Sequence, residues 1–335
     1  MRLGLILNSQ FLPEEDPVLR TRELLEQVRL CRDAGFSGVY VIQHFLSQPF
    51  QAPQLWPLLG RISAEAGEMR VGSSIFLLTL FNPVYAAEHA VSMDILTGGN
   101  FVFGIGLGFR DEELEAFGIP AKTRARRYTE ATSLLLRLLD GEEVTHDGEF
   151  FKLTGAKVLP RPVQLPRPPV WMAASGDLGV RRAARFGLPW LINPHATIET
   201  VRGQLGVYRE ELARSGNAMP AERPIFRELA IGHSRQAAVT IARPHLERKY
   251  GAYAAWGLDK PMPEHERLDG PFEELAQDRF VVGDPQECVA ELRRYEEVLG
   301  ATDVLARVQW PGMAHRDVMA QLELLGDQVI PEISG

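Results

Sequence analysis

The sequence has few cysteines and none of the spacings that bind metals. Only two of its 335 residues are cysteine, Cys31 and Cys288, and they lie far apart without a CxxC pair. This usage excludes a disulfide framework and indicates no zinc site. The eight histidines form neither HxH nor HExxH, so we predict no metal-binding residues. Cys31 falls in a helical pattern and is expected to be a small buried hydrophobe.

Long apolar runs and an excess of positive charge are also missing. The amino-terminal apolar run, residues 3–7, is too short for a signal peptide, and no window reaches the roughly 18 apolar residues of a membrane span. The 36 basic residues face 44 acidic ones, a net charge of −8, which argues against nucleic acid or an anionic membrane as a partner. We therefore expect a cytoplasmic protein with a small-molecule substrate.

The chain contains no P-loop and no G-x-S-x-G elbow. Glycines at 104, 106 and 108 follow an apolar run, but Phe109 stands where the third glycine of a dinucleotide fingerprint would be. The stretch also lies a hundred residues into the chain, which disfavours a nicotinamide Rossmann site. A strand end that lines a ligand site and an ordinary glycine-rich turn both fit these residues.

Apolar runs alternate with helical patterns along the whole chain. Eight runs are typical of buried strands, at residues 3–7, 39–42, 71–78, 101–103, 170–174, 189–192, 225–231 and 304–310. A further hairpin is expected to turn at Asp147 and Gly148. The alternation predicts an α/β fold, a (β/α)8 TIM barrel formed by one domain, residues 1–335, in which residues 257–280 are an insertion or lid.

In such barrels the carboxyl ends of the strands carry the chemistry. His44 follows the second strand and is suited to act as acid, base or hydrogen-bond donor near neutral pH, with a structural role as the alternative. Other strand-end positions are Asn8, residues 73–76, residues 104–110, residues 174–177, Asn193 and Arg227.

The fifth strand ends in Ala174, Ser175, Gly176 and Asp177, and a helix begins there. Free backbone N–H groups and the Ser175 hydroxyl suit a phosphate, although an ordinary N-cap by Ser175 or Asp177 fits equally. The basic candidates for pairing with a phosphate are Arg110, Arg124, Arg126 and Arg127.

Taken together, these residues resemble the bacterial luciferase-like monooxygenase superfamily of flavin-dependent barrels. The matching pieces are QHF at 43–45, VGSSI at 71–75, residues 82–109, and AASGD at 173–177 with the segment that continues to Asn193. The resemblance covers essentially the whole chain, weakly after Arg214. It implies that His44 lies near the reactive edge of the flavin and that the peptide between Ser74 and Ile75 is cis. The residues it implies at the cofactor are Ser74, Ile75, Gly106, Leu107, Gly108, Ala174, Ser175, Gly176 and Asn193.

The activity that the resemblance implies is monooxygenation of a small organic substrate with O2 and reduced FMN, supplied transiently by a separate flavin reductase. It also implies a homodimer through the helices near Glu88. Two departures matter: Gly106 and Leu107 replace a cysteine and an arginine, so a phosphate-pairing charge must come from elsewhere, and Ile75 is bulkier than its luciferase counterpart. Ile75 is also similar to relatives that use the deazaflavin coenzyme, so hydride transfer with that coenzyme is the alternative.

Two remote alternatives are a non-catalytic flavin-binding or partner-binding barrel and a metal-dependent barrel hydrolase. Substrate choice is expected to lie in the loops after Phe81, at 193–195 and at 257–280. No residue pattern there identifies a chemical group.

Overall fold

The computed structural model describes residues 1–257, 266, 268 and 270–334. In chain order the strands are β1 (Arg2–Leu7), β2 (Gly38–Val41), β3 (Arg70–Leu77), β4 (Phe101–Gly106), β5 (Val144–Asp147), β6 (Lys152–Ala156), β7 (Val170–Ala174), β8 (Trp190–Ile192), β9 (Pro224–Ile231), β10 (Val281–Gly283) and β11 (Asp303–Arg307).

Eight of these strands close into a parallel barrel. They pair in the order β1, β2, β3, β4, β7, β8, β9 and β11, and β11 returns to β1 with Asp303 opposite Arg2. Both faces of these strands are covered, one by the barrel interior and one by helices, which is why the sequence shows apolar runs rather than alternation. The predicted (β/α)8 barrel is confirmed.

Helices connect consecutive barrel strands and form the outer layer. They are α1 (Pro17–Asp33), α2 (Leu55–Ser63), α3 (Pro83–Leu96), α4 (Asp111–Ala116), α5 (Arg124–Leu139), α6 (Asp177–Arg185), α7 (Ile198–Arg214), α8 (Arg235–Ala255), α9 (Phe272–Ala276), α10 (Pro285–Leu299), α11 (His315–Gln328) and α12 (Ile330–Ile333). Among the described residues, no helix is both long and apolar enough to cross a membrane.

The barrel interior is packed with side chains. Its apolar layer consists of Ile6, Tyr40, Ile42, Val102, Trp171, Leu191, Phe226 and Leu305. Tyr40 and Trp171 stack at its centre with ring centroids 5.6 Å apart. Because side chains alternate along a strand, Arg307 shares the inward face of β11 with Leu305, and Glu228 shares that of β9 with Phe226. Polar groups therefore begin directly above the apolar layer, at the carboxyl ends of the strands.

Strands β3 and β4 approach each other unusually closely near the site. Their register shifts between Ser73 and Phe76, and the Ser74–Ile75 peptide in that interval is cis, as the resemblance implies. A Cβ on Gly104 would lie 2.1 Å from the Ser73 carbonyl oxygen, and one on Gly106 would lie 1.7 Å from Cδ1 of Ile75. Glycine is therefore required at 104, where a side chain would collide with the backbone of β3, whereas a side chain at 106 would force Ile75 to move.

The structure differs from the sequence prediction at β10 and at the end of the last barrel strand. The strand β10 was not predicted; it pairs with the carboxyl half of β9, outside the closed barrel. The last barrel strand ends at Arg307, three residues earlier than predicted. The hairpin of β5 and β6 is present, with the Gly148 amide donating to the Phe151 carbonyl. The short, isolated apolar pair Val281 and Val282 gave too little pattern for a strand prediction.

The predicted insertion at 257–280 lies partly outside the described residues, which omit 258–265, 267 and 269. Of its described residues, Glu266 is buried and accepts hydrogen bonds from the Thr197 and Thr200 hydroxyls at 2.6 and 2.5 Å. Its carboxylate also pairs with Arg279 at 2.9 Å. This part of the segment is thus anchored to the start of α7. That the segment forms a lid stays a prediction.

Candidate functional site

A cavity of about 670 Å³ opens at the carboxyl ends of the barrel strands. Its walls come from the ends of β2, β3, β4, β7, β9 and β11, the start of α6 and the body of α8. The residues that carry the site are Ile42, His44, Ser74, Ile75, Leu107, Gly108, Arg124, Ala174, Ser175, Gly176, Arg182, His195, Phe226, Tyr253 and Arg307. This is the face that the barrel rule selects.

His44 is held by a buried carboxylate. Its Nδ1 lies 3.1 Å from Oε1 of Glu113, and the same oxygen accepts the Phe45 backbone N–H at 2.8 Å. Glu113 is only 2% exposed. Because an ionised carboxylate only accepts hydrogen bonds, Nδ1 of His44 carries the proton and Nε2 is left for a ligand in the cavity. In the sequence Glu113 stands in an acidic stretch that suits the first turn of a helix, and nothing there indicates this pairing.

Arg110 supports this pair from behind. Its two terminal nitrogens donate to the Phe45 and Leu46 carbonyls at 2.8 and 3.1 Å, and it lies 3.6 Å from Oε1 of Glu113. Its guanidinium also sits 4.3 Å from the centroid of Trp256. Arg110 thus fixes the loop that carries His44.

The wall beside His44 is formed by β3 and β4. Ile75 and Leu107 present apolar side chains to the cavity, and Gly108 follows with a φ of +78°. The buried Ser74 hydroxyl has no hydrogen-bond partner among the described residues. An unpaired buried hydroxyl costs free energy, so its place in the wall is suited to a polar ligand atom.

A helix terminus borders the cavity at the end of β7. The N-cap position of α6 is Gly176, which offers no side-chain cap, so the alternative of capping by Ser175 or Asp177 is not what the structure shows. The first N–H groups of a helix lack intrahelical partners and attract anions. Arg124 and Arg182 line the same cavity as this terminus.

Of the four arginines predicted to pair with a phosphate, only Arg124 lines the cavity. It also forms a salt bridge with Asp111 at 3.0 Å. Arg126 pairs with Glu149 on the surface at 2.6 Å, and Arg127 donates to the Thr79 carbonyl at 2.9 Å. Both point away from the cavity into contacts of their own.

Arg182 was missed by the sequence reasoning. Its Nε donates to the Thr129 hydroxyl at 3.1 Å, and its guanidinium lies 5.7 Å from the Tyr128 ring centroid. Burial lowers the pKa of Arg182, which shows that its charge is partly desolvated. No carboxylate within the described part of the chain forms a salt bridge with it. The only sequence clue was its position one turn into the helix after the AASGD turn.

Two predicted residues lie outside the cavity lining. Gly106 ends β4 behind Ile75. Asn193 uses its Oδ1 to accept the backbone N–H groups of His195 and Ala196 at 2.9 and 3.1 Å, so it shapes the loop after β8. Arg227, selected as a strand-end residue, turns outward, donates to the Asn193 carbonyl at 2.6 Å and lies over Tyr295.

A second polar region lies at the ends of β9 and β11. Lys249 forms a buried ion pair with Glu228, whose other carboxylate oxygen accepts from Nε1 of Trp310 at 2.6 Å. Arg307 lies 4.0 Å from the same carboxylate and 4.8 Å from the Phe226 ring centroid. Burial and the charge of Arg307 lower the pKa of Lys249 to about 7. Burial acts to raise the pKa of Glu228, but Lys249 and Arg307 outweigh it and hold that pKa below its usual range.

His195 completes this region next to Tyr253. Nδ1 of His195 lies 3.3 Å from the Tyr250 hydroxyl, and the Tyr253 hydroxyl donates to Oε1 of Gln10 at 3.0 Å. Burial, with Lys249 and Arg307 adding to it, lowers the pKa of His195 well below its ordinary value. His195 is therefore neutral near pH 7 and adds no charge to the cavity.

The structure thus brings together eight of the ten residues predicted for the site: His44, Ser74, Ile75, Leu107, Gly108, Ala174, Ser175 and Gly176. The sequence reasoning missed Glu113, Arg182, His195 as a cavity residue, Tyr253 and Arg307. Arg307 had a readable clue, since it is a lone charge at the end of an apolar strand. Tyr253 had none, because it lies on a long helix with no distinct pattern.

This chain is similar to known proteins in sequence and in fold. The family model for luciferase-like monooxygenases matches residues 1–302. The oxygenase component of the flavin-dependent trigonelline monooxygenase of Acinetobacter baylyi is 24% identical over 92% of this chain and 89% of its own. An F420-dependent glucose-6-phosphate dehydrogenase of Beutenbergia cavernae is 28% identical over 93% of each chain.

The fold is similar to that of the monooxygenase RslO1 from Streptomyces bottropensis, with a TM-score of 0.85, 21% identity and coverage of 99% of both chains. The relatives therefore include both flavin monooxygenases and F420-dependent enzymes, and they indicate an oxidoreductase. From the match of the family model, this chain belongs to the luciferase-like monooxygenase family.

Proposed function

We propose that this protein is a monooxygenase that uses reduced FMN and O2 to oxygenate a small organic substrate. The observation that carries the proposal is that one cavity joins His44, fixed by Glu113, to an open helix terminus and to two arginines, Arg124 and Arg182. The first group can move a proton, and the second can hold a phosphate. Their combination in one cavity of about 670 Å³ fits a mononucleotide cofactor with room for a substrate.

The phosphate end fits a mononucleotide in charge as well as in shape. The N–H groups at the start of α6 and the Ser175 hydroxyl would bind the phosphate oxygens, and Arg182 and Arg124 would pair with its charge. Arg182 thus supplies the cation that Leu107 does not. Asp177 at the same terminus opposes an anion, so the two arginines are needed to make the site attractive.

The other end fits a flat ring. The wall formed by Ser74, Ile75 and Leu107 is apolar except for the unpaired Ser74 hydroxyl, which offers one hydrogen bond to a polar ring edge. Because Gly106 has no side chain, the Ile75 side chain packs against β4 at that position, which leaves space in the cavity in front of the wall. We propose that Gly106 and Asn193 shape this site from behind.

Reduced FMN, when bound, would supply the two electrons needed for one atom of O2 to enter the substrate and the other to leave as water. The apolar wall keeps water away from the reacting atoms. His44, with Nδ1–H held by Glu113, presents Nε2 to the cavity and moves a proton there. Glu113 is a positioning residue, because it acts through His44.

Ile75 favours the deazaflavin coenzyme as the second candidate. Its side chain projects along the wall as far as the space left by Gly106, which makes a bulky support behind a bound ring. The relative from Beutenbergia cavernae is named as F420-dependent, and F420 is a deazaflavin. In this version the bound coenzyme would supply hydride chemistry without O2, and His44 would act as acid or base.

The FMN version includes a separate reductase that delivers reduced FMN, as the name "oxygenase component" of the Acinetobacter relative suggests for that protein. We also propose a cytoplasmic location and a homodimer. Exposed apolar side chains on α3, namely Tyr85, Ile95 and Leu96, support a second copy on that helix.

Anaerobic titration of the purified protein with reduced FMN and, separately, with reduced deazaflavin coenzyme tests the proposal. We expect tighter binding of reduced FMN, followed on admission of O2 by oxidation kinetics that differ from those of free reduced FMN. Preference for the deazaflavin, with no change on adding O2, would select the second candidate. Binding of neither would contradict both.

A His44→Ala variant separates an enzyme from a non-catalytic flavin-binding barrel. It should bind FMN like the parent protein but alter the rate at which the bound reduced flavin reacts with O2. Since removal of a general acid or base changes rates by about 10²–10⁴-fold, the effect is easily measured by stopped flow. Unchanged kinetics would remove His44 from its proposed role.

A further inference from the structure

Besides Arg124 and Arg182, the cavity holds a third arginine, Arg307, that the cofactor's phosphate does not need. Arg307 ends β11, three strands around the barrel from β7, which leads into α6. Its side chain lines the cavity although the residue is only 2% exposed. A buried arginine in a cavity wall is costly unless an anion pairs with it.

The partners of Arg307 within the described residues do not satisfy it. Its only carboxylate neighbour is Glu228, at 4.0 Å, and Lys249 already forms an ion pair with that carboxylate. Nε of Arg307 has no hydrogen-bond acceptor among these residues. Arg307 therefore keeps unused donors in a fork that matches a carboxylate.

Among the described residues of this region, two cations, Arg307 and Lys249, share one carboxylate, that of Glu228. The neighbouring His195 is neutral, and Arg227 turns outward to the Asn193 carbonyl. Arg279 is paired with Glu266 at 2.9 Å. At the opposite end of β11, Asp303 pairs with Arg2 at 2.6 Å and does not reach the cavity.

Neighbouring polar groups are also short of partners. Oδ1 of Asn8, Nε2 of Gln10 and Oε1 of Gln309 are buried without hydrogen bonds among the described residues. They follow the carboxyl ends of β1 and β11, two strands that pair in parallel with Leu5 opposite Ala306. This end of the barrel is thus short of hydrogen-bond partners, and of these residues Arg307 is the one that lines the cavity.

The Tyr253 ring lies between this region and His44. The Tyr253 ring is 6.4 Å from the His44 ring and 6.3 Å from the His195 ring, centroid to centroid. Phe226 and Ile42 form apolar walls nearby. A molecule with its anionic group at Arg307 would thus place a compact apolar body beside His44.

We propose that Arg307 binds a carboxylate of the substrate, so that the substrates of this protein are compact, largely apolar carboxylic acids. This assignment rests on the proposed function, since it names the substrate class of the same cavity. Lys249 and Trp310 act as positioning residues, because both contact the Glu228 carboxylate directly and leave Arg307 only a 4.0 Å contact with it.

The test is isothermal titration of the protein, with and without FMN, against benzoate and its neutral counterpart benzamide at pH 7.5. Loss of a charge-assisted hydrogen bond corresponds to about tenfold or more in affinity, so benzoate should bind at least that much more tightly than benzamide. Arg307→Gln should abolish this preference. Arg126→Gln, a surface arginine outside the cavity, should retain it.

Equal affinities for the two compounds, or no benzoate binding, in the parent protein would overturn the assignment. Should Arg307→Gln fail to fold, Arg307→Lys takes its place. This variant keeps the positive charge but loses the planar fork of N–H donors, so an unchanged preference for benzoate in it would contradict the proposed role of that fork. FMN affinity is measured in the same samples. Benzoate preference without FMN binding would sink the proposed function alone, and FMN binding without benzoate preference would sink only the carboxylate site.

Discussion

Replacement of Glu113 by alanine tests whether this carboxylate organises the catalytic loop. In the structure one oxygen, Oε1, accepts the N–H of Phe45 and Nδ1–H of His44, and Arg110 lies within 3.6 Å of it. Glu113→Ala would leave these donors facing a cavity of about the size of the lost side chain. The His44 loop is expected to lose its fixed position.

The magnitude follows from the partners. A hydrogen bond to a charged group contributes about 1.5–3 kcal/mol, and breaking a buried ionic contact by removing one partner costs about 3–5 kcal/mol. Partial access of water to His44, whose side chain is 13% exposed, moderates the loss. We expect Glu113→Ala to lower the free energy of unfolding by about 3–4 kcal/mol. Glu113→Gln, which keeps an acceptor oxygen but not the charge, should lose about 1–2 kcal/mol.

Urea unfolding measures the free energy, and ¹⁵N NMR of the His44 ring reports which nitrogen carries the proton. The parent protein should show Nδ1–H, and the alanine variant should show a mixture of tautomers. Glu112→Ala is the matched control, since this exposed residue sits one position earlier in the same helix and should change stability by no more than about 0.5 kcal/mol. The reasoning is refuted if Glu113→Ala unfolds like Glu112→Ala and keeps the parent tautomer.

Three further predictions concern the phosphate end, the ring wall and the stability of the scaffold. Arg182→Gln should weaken FMN binding about tenfold while leaving riboflavin, which has no phosphate, unchanged, as measured by flavin fluorescence. Gly106→Ala should cost about 1–3 kcal/mol in urea unfolding because the new Cβ would lie 1.7 Å from Ile75, and the double variant with Ile75→Ala should recover most of it. Three arginines, Arg214 and Arg185 first, lower the pKa of Glu211 to about 2 from its ordinary value of 4.5. Because the folded pKa is the lower one, the stabilisation is complete above about pH 4.5 and is lost as the pH falls through about 2. The melting temperatures of parent and Glu211→Gln should therefore differ above pH 5 and converge toward pH 2; a constant difference would contradict the ion cluster.

The sequence was sufficient for the fold because the barrel strands are buried on both faces and are separated by capped amphipathic helices. A short apolar run such as residues 170–174 pairs its backbone N–H and C=O groups and buries its side chains on both faces when it forms a strand of a covered parallel sheet. Strand ends then follow from topology, which is why His44 and Ser175 could be placed at one face before their distance was known. The short β10 escaped because three residues carry too little periodicity.

The rest of the site depends on contacts between residues distant in sequence. Glu113 lies 69 positions from His44, and nothing in an acidic first turn distinguishes a buried hydrogen-bond acceptor from a solvated helix charge. Arg182 shares α6 with Arg181 and Arg185. Only the structure shows that Arg182, unlike the other two, lines the cavity. The sequence shows Arg307 as a charge in an apolar strand. That its Nε lacks an acceptor is known only from the structure, in which β1 and β9 lie on either side of β11.

The most direct test of the central claim is a crystal structure of this protein with FMN. The account predicts that the phosphate binds at the start of α6, in contact with Ser175 and Arg182, and that the flavin ring lies against Ser74 and Ile75 with His44 at its edge. A phosphate bound at Arg307, or a ring outside the strand-end cavity, would contradict the account.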